Sequence, residues 1–405
     1  MTRTAALLST LFLLSLTQLS AQPQPTQAQS QLSAQPQPQK GAQHQSQTTV
    51  TQPQATPAQR MRVNRVLDSC IARGFNGALL IADHGTTTYL KYTGIANRHY
   101  DIPLSKDSRF HIFSITKTFT AVLILQLVEQ HKLNLDSTIS VYYPEYKGPA
   151  GKKATIRNLL TYSSGRDLQE MRSILEVYSN DIWPIDTLID KYCSGNLIDT
   201  PGTKFNYNNG DYFILGKIIE KIYGRPYEEV LRTKILAPLK MQHTDYLHHR
   251  DIIKGMAEGY SYDSSATIAS ASVSPASPAP SRFYTPTNYY IDNLYSAGAL
   301  YSTPEDLLIF DQAIFNHTIL KQATVDTMLT PYKNLEGTAL GFWVYPKKFG
   351  NINTLFAERQ GGGEGFHSNW VRLIDKELTF ILLANTDAVD LNSMRLRVIA
   401  AYLGQ

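Results

Sequence analysis

The stretch TFTAVLILQLVEQHKL, residues 118–133, is apolar almost all round. Wound as a helix it has no polar face to turn to water, so it must be enclosed by protein on every side. The fold therefore has to be thick enough to hold a helix at its centre. Residues 59–405 offer that length, as one large domain or two intimate subdomains.

The ends of this body read as sheet. AQRMRVNRVLDSCIARG sets Met61, Val63, Val66, Leu67 and Ile71 on roughly one helical face, closed by Gly74. NGALLIADHG and TTTYLKYTGIAN follow as two β-rich runs joined through His84-Gly85, a hairpin. Near the other end ALGFWVYP, GFHSNWVRLI and LTFILLANT read as three strands, and LNSMRLRVIAAYL as a closing helix. The middle is mostly helix and loop, with TIRNLLTYSSG and DYFILGKIIEKIYG as its firm pieces. Thr303-Pro304-Glu305-Asp306 is a helix start. The expectation is a mixed α/β (α+β) fold, its sheet subdomain drawn from about 59–112 and 290–405, with a helical subdomain at about 113–289 inserted between. Residues 262–287, rich in Ser, Ala and Pro, read as a surface loop or insertion.

Ahead of the body, residues 1–21 have a basic Arg3, an apolar run from Ala5 to about Leu19 and a small-residue exit at Ser20-Ala21, the layout of a secretory signal peptide. The run is short and broken for a membrane span, and no later stretch resembles one. Residues 22–58, Gln, Pro, Ser, Ala and Thr, carry too little apolar surface to fold and read as a disordered linker. A periplasmic or secreted location is expected. The formal net charge of +4 is spread without a Lys/Arg cluster, so a nucleic-acid surface is not expected. Cys70 and Cys193 read as buried free thiols rather than a pair. The ten histidines show no metal-ligand spacing, and neither a metal nor another cofactor is expected.

Candidate chemistry begins just before the apolar helix. Ser114 and Lys117 in FHIFSITKTF form an S-x-x-K, and no other Lys in the chain has Ser three places ahead. A serine hydroxyl is a poor nucleophile until a base takes its proton. Lys117 would lie one turn along the same face, and apolar surroundings would disfavour its charged form. The plain alternative is Ser114 as an N-cap and Lys117 on a solvated first turn. A second acid/base can be a tyrosine beside cations. Three Y-x-N segments compete: Tyr178-Ser179-Asn180 in the helical stretch DLQEMRSILEVYSND, Tyr332-Lys333-Asn334 in a polar loop, and Tyr207-Asn208-Asn209. The last follows a Pro201-Gly202 turn and leads into a buried helix, a loop suited to presenting side chains in a cleft. In ERQGGGEGFHSNW, Gly361, Gly362 and Gly363 precede a strand and let a substrate backbone come close, or else form a flexible turn.

These segments together resemble the serine β-lactamase and penicillin-binding-protein superfamily, on its class C side, across residues 60 to 403. RFHIFSITKTFTAVLILQLVEQHKLNLDSTISVYYPE is similar to its nucleophile segment. TIRNLLTYSSG resembles its L-L-x-H-x-S-G stretch with Tyr162 in place of His, and SAGALYSTPEDLLIF its G-G-x-x-S-T-x-x-D-L run. The resemblance implies a β-lactamase/transpeptidase-like fold, an antiparallel sheet flanked by helices plus an inserted helical subdomain, with the active cleft between. It implies Ser114 as acylated nucleophile, Lys117 and Tyr207 as acid/base, and Asn209 as partner of Lys117 and the substrate amide. Backbone N–H groups of Ser114 and Gly362 would hold the oxyanion. The Lys-or-His, Thr, Gly triplet falls on Arg359-Gln360-Gly361, and Arg359 would grip a substrate carboxylate while favouring ionised Tyr207.

The expected activity is that of an exported serine hydrolase working through an acyl-enzyme on a small or peptidoglycan-derived substrate: β-lactams, D-amino acid peptides or amides, or short esters. The other reading is a penicillin- or peptidoglycan-binding sensor that does not turn over, or a pseudoenzyme. The oligomeric state stays open.

Overall fold

The computed structural model describes residues 54–167, 181–263, 283–286, 290–363 and 365–405. Tyr178-Ser179-Asn180 and most of the Ser/Ala/Pro-rich segment lie outside them.

The first helix, α1 (Pro57–Ile71), starts in a capping box of Thr56 and Gln59 with Pro57 in its first turn. Its buried stripe is Val63, Leu67 and Cys70, whereas Met61 points to solvent. Two strands follow, β1 (Gly77–Asp83) and β2 (Thr86–Thr93). His84 and Gly85 between them both adopt positive φ, the two-residue turn whose twist suits a hairpin. The expected apolar helix is α2 (Thr116–Glu129), with eleven of its fourteen residues buried. Helix α3 (Gly210–Tyr223) begins directly after the Tyr207 segment. Helix α4 (Pro304–Phe315) is capped by Thr303, whose side chain accepts from Asp306 N.

The C-terminal part holds four strands where the sequence reading had three. They are β3 (Trp343–Phe349), β4 (Ile352–Gly363), β5 (Phe366–Leu373) and β6 (Leu378–Ala384). The three glycines are therefore the end of a strand rather than a lead-in to one. Cross-strand pairing holds them extended, with Gly361 opposite Ser368 and Gly363 opposite Phe366. Helix α5 (Leu391–Leu403), capped by Asp390, closes the chain.

The sheet order is β3-β4-β5-β6-β1-β2, every neighbouring pair antiparallel. Its central strands are covered on both faces, so β1 reads as a continuous apolar run. Leu79 and Ile81 join Val63, Leu67, Val398 and Tyr402 in the core under α1 and α5. Ala78 and Leu80 face the other way, into a core shared with α2, α3 and α4. There Phe119 of α2 stacks on Phe310 of α4 with ring centroids 3.9 Å apart. The apolar helix is thus pinned between the sheet and the helical middle, and its first turn arrives at the end of β4. Cys70 and Cys193 are both buried and form no disulfide.

Candidate active site

Ser114 lies in a single tight turn, Phe113–Ile115, that runs straight into α2. Phe113 is at φ +46°, a left-handed conformation costly for an aromatic residue. The strand end explains how the turn is held. A Cβ on Gly361 would run into the carbonyl of Ile112 and stand 2.9 Å from Ser114 N. A Cβ on Gly363 would be 2.8 Å from Cζ of the Phe113 ring. These two glycines therefore accommodate the protein's own nucleophile turn, rather than a substrate backbone as the sequence suggested. Gly362, between them, is the exposed one.

Lys117 is fully buried one turn along. Its Nζ donates to Ser114 Oγ at 3.0 Å, to Asn209 Oδ1 at 2.8 Å and to the Ala297 carbonyl at 2.8 Å. Burial is the main force lowering its pKa, Tyr207 opposes it and Arg359 assists, bringing it to about 8. Tyr207 donates its hydroxyl to Ser114 Oγ at 2.7 Å. Burial would raise its pKa, but Lys117 and then Arg359 outweigh that and bring it to about 8. The two groups meet on one oxygen and titrate as a pair. Asn209 stands at the N-cap of α3, one residue ahead of its first turn.

Arg359 requires a correction. It was expected to grip a substrate carboxylate. It is instead fully buried behind the nucleophile, with Nε donating to the Ser114 carbonyl at 2.7 Å and Nη2 at 3.4 Å from the Tyr207 hydroxyl. The cause is strand alternation: Arg359 shares with Gly361 the side of β4 that faces the Ser114 turn. Its guanidinium carbon lies 4.9 Å from the centroid of the Trp343 ring. Gln360 turns to the opposite face. In the amide orientation that satisfies both partners, its oxygen accepts from Arg395 of α5 at 2.8 Å.

Several groups at the site were given no role there by the sequence. Tyr162 packs its ring 4.7 Å from that of Tyr207, and Trp343 closes the same aromatic wall at 6.0 Å. The Ala297 carbonyl enters as backbone, invisible to a motif. Of the competing tyrosines, Tyr332 takes a hydrogen bond from Arg157 at 2.9 Å in a helical turn away from Ser114.

A cavity of about 540 Å³ opens onto Ser114, Tyr207, Gly361 and Gly362. Glu336, Asp387 and Asp390 also line it, and among the described residues no Lys or Arg does. Among the described residues no helix is long and apolar enough to cross a membrane.

Comparison with known proteins gives a family and a fold. The Beta-lactamase family model matches residues 63–403. A putative penicillin-binding protein, PbpX, of Bacillus subtilis strain 168 is 28% identical over 282 residues, 70% of this chain and 65% of that protein. The teichoic acid D-alanine hydrolase of Staphylococcus aureus is 30% identical over 246 residues, 61% of this chain and 55% of that protein. The matched part thus spans less than two thirds of either relative. Among solved structures, the D-amino acid amidase from Ochrobactrum anthropi SV3 with D-phenylalanine superposes at TM-score 0.71 and 24% identity, covering 85% of this chain and 99% of that one. FmtA from Staphylococcus aureus superposes at 0.68 and 23%, covering 87% and 89%. The fold is the antiparallel sheet flanked by helices of β-lactamases and transpeptidases. The chain belongs to the Beta-lactamase family, within the serine β-lactamase and penicillin-binding-protein superfamily of serine hydrolases.

Proposed function

We propose that this chain is an exported acyl hydrolase that forms an acyl-enzyme on Ser114 and removes D-aminoacyl groups from amides or esters. The observation that carries the reading is the meeting of Lys117 and Tyr207 on Ser114 Oγ, at 3.0 and 2.7 Å. With both partners brought to about 8, the pair can take a proton near neutral pH and return it. Ser114 Oγ attacks the substrate carbonyl as its proton passes to the Tyr207–Lys117 pair. The oxyanion so formed faces the backbone N–H groups of Ser114 and Gly362. The carbonyl then reforms, the bond to the leaving group breaks, and the pair delivers the proton to that group. Water attacks the ester on Ser114 by the same route in reverse, its proton taken by the pair.

The charge of the cavity supports the substrate class. A carboxylate-bearing substrate would meet Glu336, Asp387 and Asp390, while Arg359 is committed to Ser114 and Arg395 to Glu358, Gln360 and Asn369. A free ammonium or a neutral acyl group fits that field better. The relative named for D-alanine hydrolysis from teichoic acid supports the same direction. Export rests on the signal-like residues 1–21.

The test is pre-steady-state kinetics with a chromogenic D-alanyl ester, its L isomer and a fluorescent penicillin, with the adduct located by mass spectrometry. The expected outcome is turnover of the D-ester through a transient adduct on Ser114. A stable penicillin adduct without turnover would establish the sensor reading instead. An adduct on another serine, or none, overturns the proposal.

A further inference from the structure

The loop that carries Tyr207 and Asn209 is held from below by a charge pair outside the chemistry just described. Arg166 and Asp211 both have fully buried side chains. Arg166 donates through Nε and Nη2 to Asp211 Oδ1 at 3.1 and 2.9 Å, and through Nη1 to the Cys193 carbonyl at 3.0 Å. Its Nη2 also reaches Asn208 Oδ1 at 2.9 Å. Asn208 is the residue between Tyr207 and Asn209, and it closes the ring: its Nδ2 donates to Asp211 Oδ2 at 3.0 Å and to the Asn206 carbonyl at 2.8 Å. Asp211 N returns a bond to Asn208 Oδ1 at 2.7 Å. Every polar atom of the Asn208 side chain is thereby fixed, and with it the backbone on which the flanking residues stand.

The geometry of this ring points, we propose, to Arg166 and Asp211 as positioning residues that set the register of Tyr207 and Asn209 against Ser114 and Lys117. The inference rests on the acyl-enzyme reading above and deepens it. Successive side chains on an irregular loop point in different directions. Fixing the middle one therefore turns Tyr207 toward Ser114 Oγ and Asn209 toward Lys117 Nζ. The same strip of chain that carries Arg166 grips the loop's approach. Asn206 N donates to the Tyr162 carbonyl at 2.8 Å and Gly202 N to the Ser163 carbonyl at 2.7 Å. A buried ion pair is a poor way to gain stability, because desolvation consumes most of its attraction and an apolar pair of similar volume does as well. What it supplies that an apolar pair cannot is direction, through five donors in a fixed fork.

That contrast gives the experiment. The double variant Arg166→Leu with Asp211→Leu replaces the pair by apolar side chains, and Asp211→Asn exchanges one oxygen for a nitrogen that faces the Asn208 amide donor. Three readings are taken on each variant and on the unmutated chain: melting temperature, the pH dependence of Ser114 labelling by a fluorophosphonate, and the Tyr207 titration. The last is followed by NMR of labelled tyrosine and assigned with Tyr207→Phe. The expected result is a folded double variant whose labelling is slower by about 10²-fold, the usual consequence of displacing a reacting group by an ångström. Its Tyr207 should titrate above the value in the unmutated chain, because it has left Lys117 and Arg359. Asp211→Asn should show the same two changes in smaller degree, and it decides the matter alone if the double variant does not fold. A folded variant with unchanged labelling and an unchanged Tyr207 titration overturns the positioning role. Absence of labelling in the unmutated chain overturns the acyl-enzyme reading instead, and the tyrosine titration still reports whether the pair holds Tyr207 in place.

Discussion

The guanidinium of Arg359 is hydrogen-bonded to the main chain of Ser114, Nε to carbonyl oxygen at 2.7 Å, and does not line the cavity that opens onto Ser114. A permanent cation is thus built into the wall behind the nucleophile, where it acts on Tyr207 and Lys117 rather than on a ligand.

Arg359→Ala removes a charge that lowers both the Lys117 and the Tyr207 pKa. Both pKa values should rise, so the acid limb of the kcat/KM profile should move to higher pH, by roughly one unit. Because Arg359 does not reach the cavity, the ratio of kcat/KM for matched esters with and without a terminal carboxylate should stay the same. A changed ratio with an unmoved limb would restore the carboxylate-binding role.

The pair also predicts how stability varies with pH. Lys117 titrates near 8 in the folded chain against 10.5 as a free side chain, and Tyr207 near 8 against 10.0. Between those values the unfolded chain binds more protons than the folded one at both sites, so each contributes stability that rises with pH. The contribution is lost as pH falls through about 8. Urea unfolding of the native chain and of a Lys117→Met, Tyr207→Phe double variant should show a difference that shifts toward the native chain from pH 7.5 to 9.5. A difference independent of pH would place both pKa values elsewhere.

The glycines of β4 are not equivalent. Gly361→Ala drives a Cβ into the Ile112 carbonyl and should cost about 1–3 kcal/mol, the range for overpacking, and abolish labelling of Ser114. Gly362→Ala presses chiefly on the His367 ring, at 3.0 Å from Nδ1, and should keep the fold. Melting curves and probe labelling of both variants check the order. Equal losses would mean the clash is relieved by strand movement.

Tyr162 places a buried hydroxyl beside Tyr212 and Arg359. Tyr162→Phe removes that polar contact and keeps the ring against Tyr207, so stability should change by no more than about 1 kcal/mol. Activity should stay near that of the native chain. A loss of tenfold or more would assign the hydroxyl a part in the chemistry.

Much of the candidate site was legible because its residues are tied to local pattern. Ser114 and Lys117 stand one turn apart at the head of α2, Asn209 occupies the N-cap position of α3, and Tyr207 sits in a distinctive frame. The glycine strand was misread because NTLFAERQGGG mixes Glu, Arg, Gln and Gly, poor strand formers that pairing with β5 overrides. The direction of Arg359 depends on which face of β4 it occupies, and a one-residue shift would reverse it. The pairing of Arg166 with Asp211 joins a loop to the first turn of α3 with no common periodicity, and the Ala297 carbonyl has no residue type to betray it. Met61 was grouped with the buried face, but two positions ahead of Val63 put it about 160° round the helix, and it is exposed.

The sheet's order has a consequence for how the chain comes to be folded at all. Strand β1 lies between β2, its neighbour in sequence, and β6, whose Leu383 pairs with Ala78 from roughly three hundred positions away, a separation that makes closure slow. Until that last strand has been synthesised, β1 can form a hairpin but not the middle of a sheet, and the core beneath it has no lid. The central sheet therefore closes late, and a nascent chain that has yet to reach residue 378 holds its first hairpin without the strand that completes it.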